Sequence, residues 1–213
     1  GNQSGWELNI RSWYANGWTL VLRPKRREIA KKMARACRMG VGNKHIGYDQ
    51  WQRNTLRHFA KLAGWNLGEI MDDCETDCSA FMAVCAEAAG VNMEPTYTAG
   101  NAPATFQMRQ QWGKTGEFEL LTDRKYLDCP DYLLEGDVLV NESRHTAMAL
   151  GNGEKSEGEL EVVEKSKIIV DGKEKPVRRI LKDGANFINV RDLAAALDLD
   201  VSNQGNIAVL TRK

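Results

Sequence analysis

A run of helix-forming, mostly apolar residues extends from Ser79 to Ala89, and Gly90 follows it where such a helix would end. The run predicts a helix, and Cys78 lies immediately before it, at the predicted N-terminus. Cys85 comes seven residues after Cys78, about two helical turns further along the same face, so we expect Cys85 to face the core.

Cys78 has the position of a cysteine nucleophile. The unpaired N–H groups and the dipole of a helix N-terminus stabilise negative charge, so we expect the thiolate to be favoured over a thiol whose ordinary pKa is about 8.5. The thiolate is the form that attacks a carbonyl carbon. The structural alternative is a small buried apolar residue, which is the commoner role of a single cysteine before a helix.

His145 is the candidate partner of this nucleophile. Two apolar runs, Gly136 to Val140 and His145 to Leu150, are joined by the polar loop Asn141 to Arg144, and they predict a pair of strands. A histidine at a strand edge beside a thiolate could take its proton, hold it as an ion pair and return it to a leaving amine. A histidine that is merely packed in the sheet is the alternative.

The cysteine pattern argues against other kinds of site. The five cysteines are an odd number with no two-residue spacing, which fits neither a disulfide framework nor a standard zinc ribbon. Zinc held by Cys74, Cys78 and His145 would have a ligand spacing unlike the common structural sites. A disulfide between Cys74 and Cys78 is conceivable, but nothing in the sequence supports it. We therefore predict no metal and no cofactor.

Several segments in order resemble the NlpC/P60 superfamily of cysteine peptidases, specifically its phage and prophage endolysin branch, over about Arg27 to Gly153. They are His45 to Gln50, Cys74 to Ser79, Gly136 to Val140, His145-Thr146 and Gly151 to Gly153. The resemblance implies an α+β, papain-like core in which N-terminal helices pack on an antiparallel sheet. It also implies a hydrolase whose partner is bacterial peptidoglycan.

The same resemblance implies the site residues. Cys78 would be the nucleophile, His145 the base and Glu157, about a dozen positions beyond His145, the residue that orients the imidazole. The segment around Glu157 has few apolar neighbours, so a solvated linker is the alternative there. We assign substrate binding to the residues beside these motifs, with the Tyr48 hydroxyl and the Cys78 N–H as oxyanion donors; the residues are Tyr48, Asp49, Asp77 and Ser79.

The resemblance leaves open which of two amide bonds is cleaved. Related enzymes cut either the link between D-glutamate and the dibasic residue, as endopeptidases, or the link between muramic acid and L-alanine, as amidases. We expect the first. A protein of another class, a noncatalytic wall-binding or phage structural protein, is the remaining alternative.

The N-terminal part is basic and rich in aromatic residues, although the whole chain has a net charge of zero. Asn16-Gly17 between two apolar runs predicts a β-hairpin over Trp6 to Leu22. Glu28 to Arg35 predicts an amphipathic helix whose basic face is solvated or attracts anionic wall polymers. Trp51 to Ile70 predicts an extra helix. No nucleic-acid motif accompanies these charges, so we predict no nucleic-acid partner.

A change of composition divides the chain into residues 1–153 as the catalytic domain, 154–166 as a glutamate-rich linker and 167–213 as a small α+β domain. The last segment predicts three short strands, a helix over Arg191 to Asp198 and a final strand over Ile207 to Leu210. It resembles the stalk-like repeat named after the N-terminal domain of copper amine oxidase, which implies a role in wall attachment. No His or Cys follows His145, so the usual copper ligands are missing from it.

No apolar run is long enough for a membrane span, and no signal peptide is evident. Reduced cysteines fit synthesis in the cytoplasm, followed by action on the cell wall after phage lysis or secretion. The sequence makes no prediction about the oligomeric state.

Overall fold

A computed structural model describes residues 8–156, 164–182, 185–204 and 207–213. The chain forms two compact units, residues 1–156 and 157–213. Both contain helices and strands, which confirms the predicted α+β class. No helix in the described ranges combines the length and the apolar character needed to cross a membrane.

The first unit alternates helices and short strands. Its described helices are α1 (Arg27–Gly42), α2 (Thr55–Leu62), α3 (Cys78–Ala88), α4 (Thr105–Lys114) and α5 (Arg124–Leu127), with single 3-10 turns at Leu67–Glu69 and Glu94–Thr96. Its described strands are β1 (Leu20–Pro24), β2 (Ile46–Tyr48), β3 (Cys74–Thr76), β4 (Phe118–Leu121), β5 (Val138–Asn141) and β6 (His145–Met148).

Two sheets position the site. The larger has the strand order β4-β1-β5-β6 with antiparallel neighbours, and β6 lies at its edge. β1 lies between β4 and β5, and all five of its residues are buried. The smaller sheet pairs β2 with β3 in parallel, and Tyr48 lies opposite Thr76. This pairing brings Tyr48 next to the segment that leads into α3.

α3 is the central helix of the core. Its residues Ser79 to Ala86 are all buried, because the helix is apolar on nearly every face. It packs against α1, and the two helices approach closely at Gly40, where a Cβ atom would lie 2.6 Å from the ring of Phe81. Cys85 is fully buried, as its spacing from Cys78 predicted. A rigid helix therefore carries Cys78 at its first position.

Most of the predicted elements around the site are confirmed, with shifted ends. The helix predicted over Ser79 to Ala89 is α3, and the two predicted strands are β5 and β6. The helix predicted over Glu28 to Arg35 extends to Gly42 as α1. The extra helix predicted over Trp51 to Ile70 is shorter and divided, because only α2 and one 3-10 turn form there.

The predicted hairpin around Asn16-Gly17 is wrong. Residues 8–19 contain no strand, although Gly17 has the left-handed φ of 62° that a tight turn would use. The following strand, β1, pairs instead with β4 and β5, which lie about a hundred residues further along the chain. Burial of β1 in an inner position removes more apolar surface from water than a local hairpin would.

The second unit consists of a sheet and a strand pair. β7 (Glu164–Val170), β8 (Lys173–Lys182) and β9 (Ala185–Ile188) form an antiparallel sheet. α6 (Val190–Ala196) follows, and Arg178 on β8 pairs with Asp192 on this helix at 2.9 Å. β10 (Leu199–Gln204) and β11 (Ile207–Arg212) form the second pair. β10 was not predicted, because its outward-facing residues are largely polar.

The predicted linker over 154–166 is too long at both ends. The backbone N–H groups of Lys155 and Ser156 donate to Asp131 and Gly153 in the first unit. At the other end, residues 164–166 already belong to β7. Glu157 and the rest of residues 157–163 lie outside the described residues.

Candidate active site

Cys78, His145 and Tyr48 line one cavity of about 390 Å³. Residues 8–14, which we call the N-terminal strap, form one wall, and residues 145–153 form another. Trp18 also lines it. The structure thus brings together the predicted nucleophile, the predicted base and the tyrosine, although 67 residues separate the first two in the sequence.

Three groups that favour the ionised sulfur lie around Cys78. They are the hydroxyl of Tyr48, the N–H of Ser79 in the first turn of α3, and the N–H of Thr146, the residue after His145, and each of them lowers the pKa of the thiol. The N–H of Cys78 in turn lowers the pKa of Tyr48, so the tyrosine hydroxyl lies near both the sulfur and the backbone of Cys78.

The thiolate predicted for Cys78 is not the resting form. Burial of the sulfur, followed by the negative charge of Asp77, raises the pKa of Cys78. The donors at Thr146, Tyr48 and Ser79 lower this pKa but do not offset the burial. Burial, and then the proximity of Cys78, also raises the pKa of Tyr48 to about 12, so the tyrosine remains a hydrogen-bond donor at neutral pH.

His145 is the neutral partner of this thiol. Its partly buried imidazole stacks on Trp18, with ring centroids 6.2 Å apart and an interplanar angle of 30°. Burial, followed by the positive charges of Arg11 and Arg144, lowers the pKa of His145. A neutral imidazole can accept a proton. The site therefore holds a neutral thiol and a neutral imidazole rather than a preformed thiolate–imidazolium pair.

We expect iodoacetamide to alkylate Cys78 slowly at pH 7, with a rate that still rises beyond about pH 8.5. Only the thiolate reacts, and the raised pKa of Cys78 keeps the thiolate scarce at neutral pH. Peptide mass spectrometry across a pH series would measure the rate. Cys129, which is partly exposed and does not line the cavity, is the internal reference. A rate for Cys78 that is already constant from pH 7 upward would contradict the neutral thiol.

Arg53 holds the start of α3 in place. Its guanidinium pairs with both oxygens of Asp77, at 2.5 and 3.1 Å, and contacts the Ser79 hydroxyl at 2.6 Å. It also donates to the carbonyl of Ala102 at 2.7 Å. Asp77 in turn caps α3 by accepting the N–H of Ala80 at 2.7 Å. Arg53 was not predicted from the sequence, because a single arginine between two elements carries no pattern.

The structure does not bring every predicted binding residue to the cavity. Asp77 and Ser79 are buried, bond to Arg53 and do not line the cavity. Asp49 also lies outside the lining residues, and its carboxylate accepts the N–H of Trp51 at 2.7 Å. Glu157 lies outside the described residues.

The arrangement of possible metal ligands in the described residues also decides whether they could hold a metal ion. In the part of the chain that the structure describes, no three His, Cys, Asp or Glu side chains come together in a way that could hold a metal ion. The groups of the cavity that could take part in a reaction include the Cys78 thiol, the His145 imidazole and the Tyr48 phenol, and a guanidinium from Arg11 also lines it.

The fold and the cavity define an α+β protein whose site combines a cysteine at a helix N-terminus with a histidine on a sheet edge. A protein-family model with the description endolysin-like domain matches residues 1–156, and the chain belongs to this family. An endolysin-like domain indicates lytic action on the bacterial cell wall, with peptidoglycan as substrate. No curated protein and no solved structure matches the chain.

Proposed function

We propose that the protein is a cysteine peptidase that hydrolyses an amide bond in the stem peptide of peptidoglycan. The observation that carries the proposal is the environment of Cys78: its thiol lines one cavity together with His145, Tyr48 and Thr146, and the Tyr48 hydroxyl and the Thr146 N–H both favour its ionised form. A merely structural cysteine has no need of a base and several donors around its sulfur.

The reaction begins with a proton transfer. As the sulfur of Cys78 attacks the carbonyl carbon of the substrate, His145 takes the thiol proton. The tetrahedral intermediate then collapses, His145 returns the proton to the departing amine, and an acyl-thioester remains on Cys78. Water, deprotonated by His145, attacks this thioester and releases the carboxylic acid with regeneration of the thiol.

Two groups act as donors to the oxyanion in this scheme, the N–H of Cys78 and the hydroxyl of Tyr48. The proposal is supported by their proximity, since the Cys78 backbone influences the pKa of Tyr48. The substrate carbonyl oxygen would accept from both. Each such donor typically contributes about 10²- to 10³-fold to the rate.

Asp77, Ser79 and Arg53 act in this scheme as positioning residues. Their mutual bonds fix the first turn of α3, and so fix the direction of the Cys78 side chain. We retain Glu157 as the proposed orienting residue of His145 on the sequence resemblance alone. The same resemblance supports the NlpC/P60 assignment. The likeness of residues 167–213 to the stalk-like repeat supports a wall-attachment role for the second unit, and the reduced cysteines support cytoplasmic synthesis before release to the wall.

The proposed bond is the link between D-glutamate and the dibasic residue. Purified peptidoglycan is digested with the protein, and the released muropeptides are identified by mass spectrometry. We expect a new free amine on the dibasic residue and no new reducing sugar ends. A new amine on L-alanine would replace the endopeptidase with an amidase. New reducing ends without any new amine would reject the cysteine peptidase.

A further inference from the structure

In the described part of the chain, the cavity around Cys78 is lined by positive charge without a negative counterpart. Among the described residues that line it, Arg11 on the N-terminal strap is the one with a permanent charge, and none is acidic. Arg144, next to His145 in the sequence, adds a second guanidinium close to the imidazole. The base of the proposed reaction is therefore influenced by two cations, of which Arg11 lines the cavity and Arg144 does not.

Neither arginine has a carboxylate partner among the described residues. Arg11 donates through Nε to Asn9 at 3.1 Å and lies over the ring of Tyr14 at 5.1 Å. Arg144 donates to the carbonyl of Asn16 at 3.3 Å. Arg27 and Arg35 likewise have no carboxylate partner among the described residues, but neither lines the cavity. The other arginines of the first unit do have acidic partners: Arg23 with Asp137, Arg26 with Glu117, Arg38 with Glu135, Arg53 with Asp77, Arg57 with Glu87, Arg109 with Glu142 and Arg124 with Asp128.

The positive charge of the two arginines affects the basicity of His145. Two unneutralised guanidinium groups beside His145 weaken it as a base, because they disfavour its protonated form. A negative group bound at Arg11 would offset that disadvantage when the reaction starts. Guanidinium groups bind carboxylates through paired, charge-assisted hydrogen bonds, and Asn9 and Tyr14 already hold Arg11 without using its Nη groups.

We propose that Arg11, with Arg144 adding positive charge near His145, binds a free carboxylate of the substrate beside the scissile bond. The inference rests on the proposed function and narrows its substrate class: the enzyme takes stem peptides whose D-glutamyl residue keeps its α-carboxylate and discriminates against those in which it is a carboxamide. The N-terminal strap, which the resemblance to cysteine peptidases does not cover, would then carry a specificity-determining residue.

The test uses two synthetic stem peptides that differ only in that α-carboxylate or α-carboxamide. We expect kcat/KM of the full-length protein to be at least about tenfold higher for the carboxylate, which corresponds to one charge-assisted hydrogen bond. Arg11→Gln should reduce this ratio to near one, mainly through KM for the carboxylate peptide. Arg144→Gln should reduce the ratio in part, and Arg11→Lys should restore some of it. Arg124→Gln, outside the cavity, is the matched control and should keep the ratio.

The outcomes separate the two proposals. Cleavage of both peptides with equal efficiency would overturn the carboxylate site and leave the peptidase in place. Cleavage of neither peptide would overturn the peptidase. Calorimetry with Cys78→Ala protein then decides the carboxylate site by itself: tighter binding of the carboxylate peptide that Arg11→Gln removes supports the site, and equal binding of the two peptides rejects it.

Discussion

A Cys78→Ala variant is expected to clear no peptidoglycan in a zymogram and to lower kcat by at least about a thousandfold. The substitution removes the sulfur that would form the acyl-thioester and leaves His145 with no proton to accept. The fold should remain intact, because alanine is a good helix former at the first position of α3 and the Asp77 cap does not involve the Cys78 side chain. Turbidity loss of a cell-wall suspension would give the rate.

Cys129→Ala is the matched control, since it removes another partly exposed cysteine that does not line the cavity. It should clear peptidoglycan at the parent rate. His145→Ala should fall to the same background as Cys78→Ala, because residues that act as one unit lose most of the rate when either is removed. Equal clearing by the Cys78→Ala variant and the parent would show that another group performs the chemistry.

The sequence predicts the local parts of this fold well. α3 could be found because an apolar run of helix formers ends at a glycine, and β5 and β6 because two apolar runs flank a polar loop. The pairing of β1 with β4 and β5 could not be found, because it depends on segments far apart in the chain. Gly17 does adopt the left-handed φ that an Asn-Gly turn uses, but residues 9–19 form neither a regular turn nor a strand, and the signal carried no information about which strand would pair with β1.

Some features of the candidate site could likewise be predicted from the sequence, and others could not. Cys78, His145 and Tyr48 stood in recognisable local sequences, and they meet in one cavity. The protonation state of Cys78 could not be predicted, because it depends on how deeply the packed structure buries the sulfur. Arg11 and Arg53 also escaped prediction. An arginine in a loop has no periodicity, and only its neighbours in space reveal whether it holds a helix or faces a substrate.

The interaction of Arg53 with Asp77 leads to the second large effect. Arg53→Met should lower the free energy of unfolding of the first unit by about 3 kcal/mol, the usual result when one partner of a buried ion pair is removed. Asp77, whose side chain is only 12% exposed, would lose the cation that faces it, although it keeps the N–H of Ala80. All six tryptophans precede residue 157, so their fluorescence follows the melting of the first unit alone. The midpoint should fall by roughly 10 °C.

Two further variants test whether the lost stability comes from the buried ion pair. Arg26→Met breaks a pair with Glu117 in which both side chains are exposed, and it should change stability by less than about 1 kcal/mol. Adding Asp77→Asn to Arg53→Met should recover part of the loss, because the stranded charge is then gone while an amide oxygen can still cap α3. If Arg53→Met melts together with Arg26→Met, the helix start that carries Cys78 does not depend on this ion pair, and Arg53 loses its assigned role in orienting the nucleophile.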